Sequence, residues 1–284
     1  MDLAAKTPAD LTITPRDRRF GRGARQERWW HGGDPIATAW HNALSITFPR
    51  GEAFFIESVK AFRDGAPPKL EAEIKAFTLQ EVMHSREHVA FNKRVVDSGY
   101  DISHLEQVVV DSLEITKGRP QILNLAVTMA LEHYTAMLAQ MMLKHKRYFA
   151  GVNAETKAMW QWHAIEEIEH KGVAYDTWRH ATRGWTRWKR WKVKSIMMLL
   201  VTYRFWTKRW QGTLELLEQD GIKGLGARAR LLWYLVAAPG PVTRIFPAWV
   251  AYFLPGFHPW NHDDRALIQR ADSAYADARV PSAA

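Results

Sequence analysis

The tetrad Glu-x-x-His occurs twice in this chain, at Glu81–His84 and Glu167–His170, and each time it interrupts an apolar stripe of helical period. Positions 70, 74, 77, 81, 84, 88, 91 and 95, in steps of four and three, carry Leu, Ile, Phe, Glu, His, His, Phe and Val. Trp160, His163, Glu167, His170 and Ala174 make a second stripe. Leu125, Met129, Glu132, Ala136, Ala139 and Leu143 make a third, and Glu52, Ile56, Val59 and Phe62 a fourth. Residues three and four apart share a helix face, so four helices each aim a carboxylate at the core and two of them also aim histidines. Four carboxylates in one core repel one another unless they are protonated or neutralised. Two divalent cations would cancel them, and Glu-x-x-His offers an ion a carboxylate and an imidazole from one helix.

The surrounding chain reads as helical. Period-2 runs bounded by turn clusters are absent over any useful length, while apolar residues recur at steps of four and three. The pattern predicts helices over 52–63, 70–97, 105–113, 121–149 and 155–180, separated by Gly- and Pro-bearing breaks. The expected fold class is all-α: a four-helix bundle with a di-metal core, plus additional C-terminal helices. Three regions are expected: a basic N-terminal arm over 1–35, the bundle over 36–182, and a Trp-rich basic helical region over 183–284 packed on it. At 284 residues and 47% hydrophobic, the chain is long enough to bury a full core.

Composition narrows the chemistry. The chain has no Cys, which excludes thiolate metal sites, disulfides and thiol nucleophiles and leaves Glu, Asp and His as ligands. The formal net charge of +9 is concentrated in 179–230, where thirteen Lys or Arg stand against Glu215, Glu218 and Asp220 and leave +10. Trp178, Trp185, Trp188, Trp191, Trp206 and Trp210 lie in or beside that stretch. Two readings stay open for it: a second helical layer with its cations in water, or a surface that lies on an anionic membrane. Nucleic acid is the weakest reading, and neither apolar run nearby is long and unbroken enough to span a bilayer. The first thirty residues lack an uninterrupted apolar stretch, which predicts a cytoplasmic location, peripheral on the inner face of the cytoplasmic membrane if the basic stretch is interfacial.

Each tetrad follows a lone inward Glu, by 29 and 35 residues. This order and spacing resemble the ferritin-like di-iron carboxylate superfamily, in which two helices give one Glu each and two give Glu-x-x-His. His163-x3-Glu167-x2-His170 resembles the extra-histidine signature of the arylamine N-oxygenases. The stretches "ALSITFPRGEAFF", "QEVMHSREHVAFN", "WHAIEEIEHKGVAYD" and "FLPGFHPW" are similar to the bacterial family called predicted metal-dependent hydrolases, over most of the chain. The superfamily pattern implies that Glu81 and Glu167 bridge two metals, with Glu52 and His84 on one and Glu132, His163 and His170 on the other. His88 has no counterpart in that pattern and is expected to stand behind the ligands. Glu57 competes with Glu52 for the first position. Glu87, Glu166 and Glu169 fall off the stripes and are expected in solvent or paired with Lys and Arg, and His133 is expected not to ligate.

The leading functional expectation is a non-haem di-iron oxygenase or oxidase that activates O2 on a small or lipid-like substrate. It would hold two Fe ions, or Mn, and draw on an external electron donor, since no G-x-G-x-x-G fingerprint is present. The alternative is a di-metal hydrolase that uses a metal-bound hydroxide. A third is a non-enzymatic iron-handling protein, and a homodimer is compatible with all three.

Overall fold

The computed structural model describes residues 7–22, 25–237 and 240–277, with side chains to 273. The first six residues of the expected arm and the last seven of the expected C-terminal region lie outside the described residues. Among the described residues every regular element is helical, and one isolated bridge joins His31 to Val152. In chain order the helices are α1 (Pro35–Ser45), α2 (Phe48–Lys60), α3 (Pro68–Asp97), α4 (Ser103–Glu114), α5 (Gln121–Lys144), α6 (Ala154–His170), α7 (Val173–Ala181), α8 (Arg187–Gln219), α9 (Gly224–Val236), α10 (Pro241–Ala251) and α11 (Arg265–Asp277). The chain is an all-α bundle, as its periodicity predicts.

Start signals in the sequence place most of these helices. The Asp34 carboxylate accepts from the amides of Ile36 and Ala37 and caps α1, with Pro35 in the first turn. Asn153 caps α6 and Thr186 caps α8 in the same way. Helix α2 begins at Phe48 rather than at the expected residue 52, because Pro49 sits in its first turn, where a missing amide proton costs nothing. Helix α1 was not expected at all. Ten of its eleven residues are buried, so it lacks the polar face on which an amphipathic reading depends.

The expected helix over 155–180 is two helices, and this is a second correction. Helix α6 stops at His170 and α7 starts at Val173, with Gly172 between them. A Cβ at Gly172 would stand 2.8 Å from Thr7 Oγ1 and 3.0 Å from Trp260 Cδ1. Only a glycine admits the N-terminal arm and the Trp260 ring this close to the backbone.

Helix α2 packs on α3 and α5, and α6 packs on both α5 and α3, so the four helices with inward carboxylates surround one core. Helix α8, 33 residues and about 50 Å long, crosses the outside of α1 and α5. Its inner face buries Met198, Val201, Leu216 and Leu217, and Trp206 stacks on Trp40 at 5.6 Å between ring centres. Its outer face leaves Trp188, Leu199, Leu200 and Tyr203 more than half exposed. The Trp-rich stretch therefore has one packed side and one free side. Helix α5 has the length and hydropathy to cross a membrane, yet 72% of its apolar window is buried inside the bundle.

Candidate metal centre

All seven expected ligands converge. Glu52 comes from α2, Glu81 and His84 from α3, Glu132 from α5, and His163, Glu167 and His170 from α6, each no more than 3% exposed. His170 Nε2 lies 3.1 Å from Glu81, 3.4 Å from Glu132 and 3.5 Å from Glu167. His84 Nδ1 lies 3.6 Å from Glu167 and 4.0 Å from Glu81, and His163 Nε2 lies 2.8 Å from Glu167. Among the described residues four overlapping sets have ligand atoms within 4.8 Å of one another and could hold an ion. They are Glu81, Glu132 and His170; Glu52, Glu81 and His84; His84, His163 and Glu167; and Glu52, His88 and His163. Glu57, the competitor of Glu52, is exposed on the opposite side of α2.

The donor atoms fit a metal because protein groups leave them unsatisfied. Both oxygens of Glu81 and of Glu132, Glu52 Oε1, Glu167 Oε2, His84 Nδ1 and His170 Nε2 are buried without a hydrogen-bond partner. Buried polar atoms are nearly always paired, and eight orphans at one point are a donor set that could hold a cation. The histidine protons agree. Glu166 Oε2, 3.0 Å from His84 Nε2, assigns the proton there and turns the Nδ1 lone pair to the cluster. Gln80 donates from its amide nitrogen to Glu169 and Thr14, so its oxygen, 3.0 Å away, accepts from His170 Nδ1 and leaves the Nε2 lone pair free. His88 stands one hydrogen bond behind His163: their Nε2 and Nδ1 are 2.7 Å apart, and Ser45 and Asn92 continue the chain. Such outer partners orient metal-binding imidazoles.

Burial and mutual repulsion push the carboxyls of Glu52, Glu81 and Glu132 well above the ordinary range. Burial acts on Glu167 in the same sense, but His170 and His163 together hold it well below. Desolvation pushes His84 and His88 well down, toward the neutral form that a metal needs.

The expectation that Glu87, Glu166 and Glu169 meet solvent is corrected: all three are buried. Their pairing with arginine is found, and apart from Arg86 of α3 the partners come from the N-terminal arm. Arg16 forms a fork on Glu169 at 2.7 and 3.0 Å and reaches Glu166 at 3.5 Å, while its backbone amide donates to Glu166 at 2.9 Å. Arg22 and Arg86 bind Glu87 at 2.7 and 2.8 Å. Burial raises Glu166 to about 7 against the opposing charge of Arg16. The arm thus holds the outer partners of His84 and His170, a role that periodicity does not reveal because residues 7–22 form no helix. Ser85, which donates to Glu52 at 2.8 Å, went equally unread. His133 lies away from the cluster, its Nε2 3.2 Å from the Ala248 carbonyl oxygen.

A cavity of about 380 Å³ reaches the cluster, lined by Glu52, His163 and Glu167 and walled mostly by apolar side chains of α2, α4, α5 and α8. A family model now places the chain among known sequences. The chain belongs to the predicted metal-dependent hydrolases. The match runs over residues 14–263, so it takes in every donor of the cluster and the arm from Thr14 onward. No curated protein and no solved structure matches the chain. For a predicted metal-dependent hydrolase, a buried set of Glu and His donors that could hold metal is the site the family description calls for.

Proposed function

We propose that this protein is a two-metal hydrolase whose substrate carries an apolar body into the cavity beside Glu52 and Glu167. The observation that carries the reading is the convergence of eight unpartnered buried donor atoms where an apolar cavity ends. Two divalent ions held by Glu52, Glu81, His84, Glu132, His163, Glu167 and His170 would supply Lewis-acid activation and lower the pKa of water at the site. The chain's own groups do the rest. Glu166 and Gln80 hold the imidazole protons away from the cluster, and the apolar side chains of α5 and α8 lower the polarity beside it, which strengthens each electrostatic contact there. His88, with Ser45 behind it, fixes the ring of His163 at the cavity edge.

A second reading, oxygen activation at two iron ions with an outside electron donor, keeps one specific support. Four helices supply four carboxylates and two Glu-x-x-His pairs, the donor set of ferritin-like dinuclear bundles. The experiment is an assay of p-nitrophenyl acyl esters by protein loaded with Zn, Mn or Fe, run with and without O2. The hydrolase reading expects metal-dependent ester cleavage that ignores O2. Oxygen consumption by the reduced iron-loaded protein, with no ester turnover under any metal, would overturn it in favour of the second reading.

The outer face of α8–α10 is part of the proposal, as a surface that rests on an anionic bilayer. Exposed Leu199 and Tyr203 lie on α8, Trp233 on α9 and Phe246 on α10, Arg187, Lys189, Arg190 and Lys192 stand in the first two turns of α8, and Lys or Arg at a membrane surface contributes about 1 kcal/mol each. Lys194 does not belong with those cations: it is buried, bonded to the Tyr252 carbonyl and pushed down to about 7 by desolvation. Wild type should co-sediment with anionic vesicles at low salt, and replacing Arg187, Lys189, Arg190 and Lys192 by Gln should remove most of that binding. Equal binding to neutral vesicles would refute the electrostatic part.

A further inference from the structure

The charges around the cavity are sorted by sign. Its acids are Glu52 and Glu167, both in the donor cluster, whereas its other charged residues are Arg119, Arg204, Lys208 and Arg209. Among the described residues no ion pair joins any of these four cations to a carboxylate. Arg209 is the most telling. It is only 8% exposed, and its recorded hydrogen bonds both leave from Nη1, to the carbonyl of Ala43 and, at 3.1 Å, to Thr47 Oγ1. A guanidinium taken out of water and set on neutral oxygens carries an uncompensated desolvation cost, which an anion at its remaining donors offsets. The cavity wall explains what else such an anion carries: α5 brings Leu131, Leu138 and Met142, and α8 brings Met197, Val201 and Phe205. From Met197 to Arg209 the lining follows α8 for about 18 Å.

We propose that the cavity takes a single-chain amphipathic anion, with its apolar tail along α5 and α8 and its anionic head on Arg204, Lys208 and Arg209. Thr47, the contact of Arg209, and Glu52 are five residues apart at the start of α2, about 8 Å along the chain axis. The bond offered to the donor cluster therefore lies a few atoms from the charged head. The class of bond rests on the hydrolase reading, but the binding does not, so the two can fail separately.

Calorimetric titration tests the binding, with dodecanoate, dodecanol and dodecyltrimethylammonium as probes of one tail length, and with metal content measured on the same samples. Wild type should bind dodecanoate at least about tenfold more tightly than dodecanol, with the cation weakest and the preference shrinking as salt rises. The double variant Arg204→Gln, Lys208→Gln changes two side chains that are not buried, so the fold is retained. It should lose most of the preference, with Arg209 left to supply the rest, while its affinity for dodecanol stays the same, which also separates the cation site from direct binding of the carboxylate to metal. Gly51 lines the cavity, and a Cβ there meets nothing within 4 Å, so Gly51→Leu should place its side chain in the cavity and weaken binding of all three probes. Dodecanol that binds as well as dodecanoate, a preference undiminished in the double variant, or undiminished binding in Gly51→Leu would each overturn the proposal.

Discussion

Glu81→Gln should bind metal at least about a hundredfold more weakly than wild type and, once both proteins are stripped of metal, should melt at a higher temperature. The first half follows from position, since Glu81 enters two of the four candidate donor sets and even outer partners of ligands are worth about 10–100-fold in affinity. The second half follows from what the carboxylate does without a metal. Both its oxygens are buried and unpartnered, beside Glu132, Glu167 and Glu52, and an unsatisfied buried polar group costs about 1–3 kcal/mol, more when charged. At neutral pH the buried carboxyl must hold a proton that the unfolded chain sheds, whereas the amide is neutral without one at nearly constant volume, and at roughly 2–4 °C per kcal/mol for a chain of this size the gain is measurable by scanning calorimetry. Lost function with gained stability marks a residue kept for binding rather than folding. Glu167→Ala should lose metal as fully, Glu166→Gln about tenfold less so as an outer partner, and Glu57→Gln not at all. Elemental analysis of the purified variants checks the series. A Glu81→Gln protein with full metal content, or one that melts lower than stripped wild type, would remove Glu81 from the centre.

The donors were legible in the sequence for a specific physical reason. A Glu or His within an apolar stripe contradicts its surroundings, and period 3.6 places it on a face before any coordinates exist. Glu52, Glu81, Glu132 and Glu167 are of this kind, and each points where its stripe points. What surrounds them was not legible. Glu166 is one residue from the candidate donor Glu167 and falls off the stripe, and its position becomes an interior one through the arm's Arg16 and through His84 of α3. The arm has no period to read. Helix α1 is buried on nearly all sides and shows no polar face, and the glycine at 172 accommodates Thr7 and Trp260, far away in sequence. The cavity combines residues of α2, α4, α5, α6 and α8, so its charge pattern exists only once the helices have packed. Local pattern thus reveals which face a residue takes, and long-range contacts decide its neighbours.

The stability of the metal-free protein should fall as pH rises from about 6.5 to 8.5, whereas that of the metal-loaded protein should hold or increase over the same window. Burial raises Glu52, Glu81 and Glu132 well above their unfolded values near 4.3 and brings Glu166 to about 7. Above pH 4.3 the unfolded chain has shed those protons while the native one still holds them. Raised carboxyls therefore contribute stability that is complete at low pH and lost as pH climbs through the folded values, at about 1.4 kcal/mol per pH unit for each proton retained. Buried His84, His88 and His41 act in the opposite sense, since their depressed values cost stability only as pH falls below about 6.5. Glu167, held low, likewise matters only in acid. Above 6.5 the raised carboxyls outnumber the group that opposes them: Lys194, pushed down to about 7 by desolvation, gains stability as pH rises, because the unfolded chain keeps the proton that the native lysine sheds. Metal ions replace the carboxyl protons, which removes the slope, and at a free concentration of about a thousand times Kd they add about 4 kcal/mol, or some 8–16 °C. Melting curves of chelated and reloaded protein at several pH values measure both effects, and calorimetric loading in two buffers of different ionisation heat counts the protons released. Parallel curves, or loading without proton release, would mean that the four carboxylates do not share their site with metal.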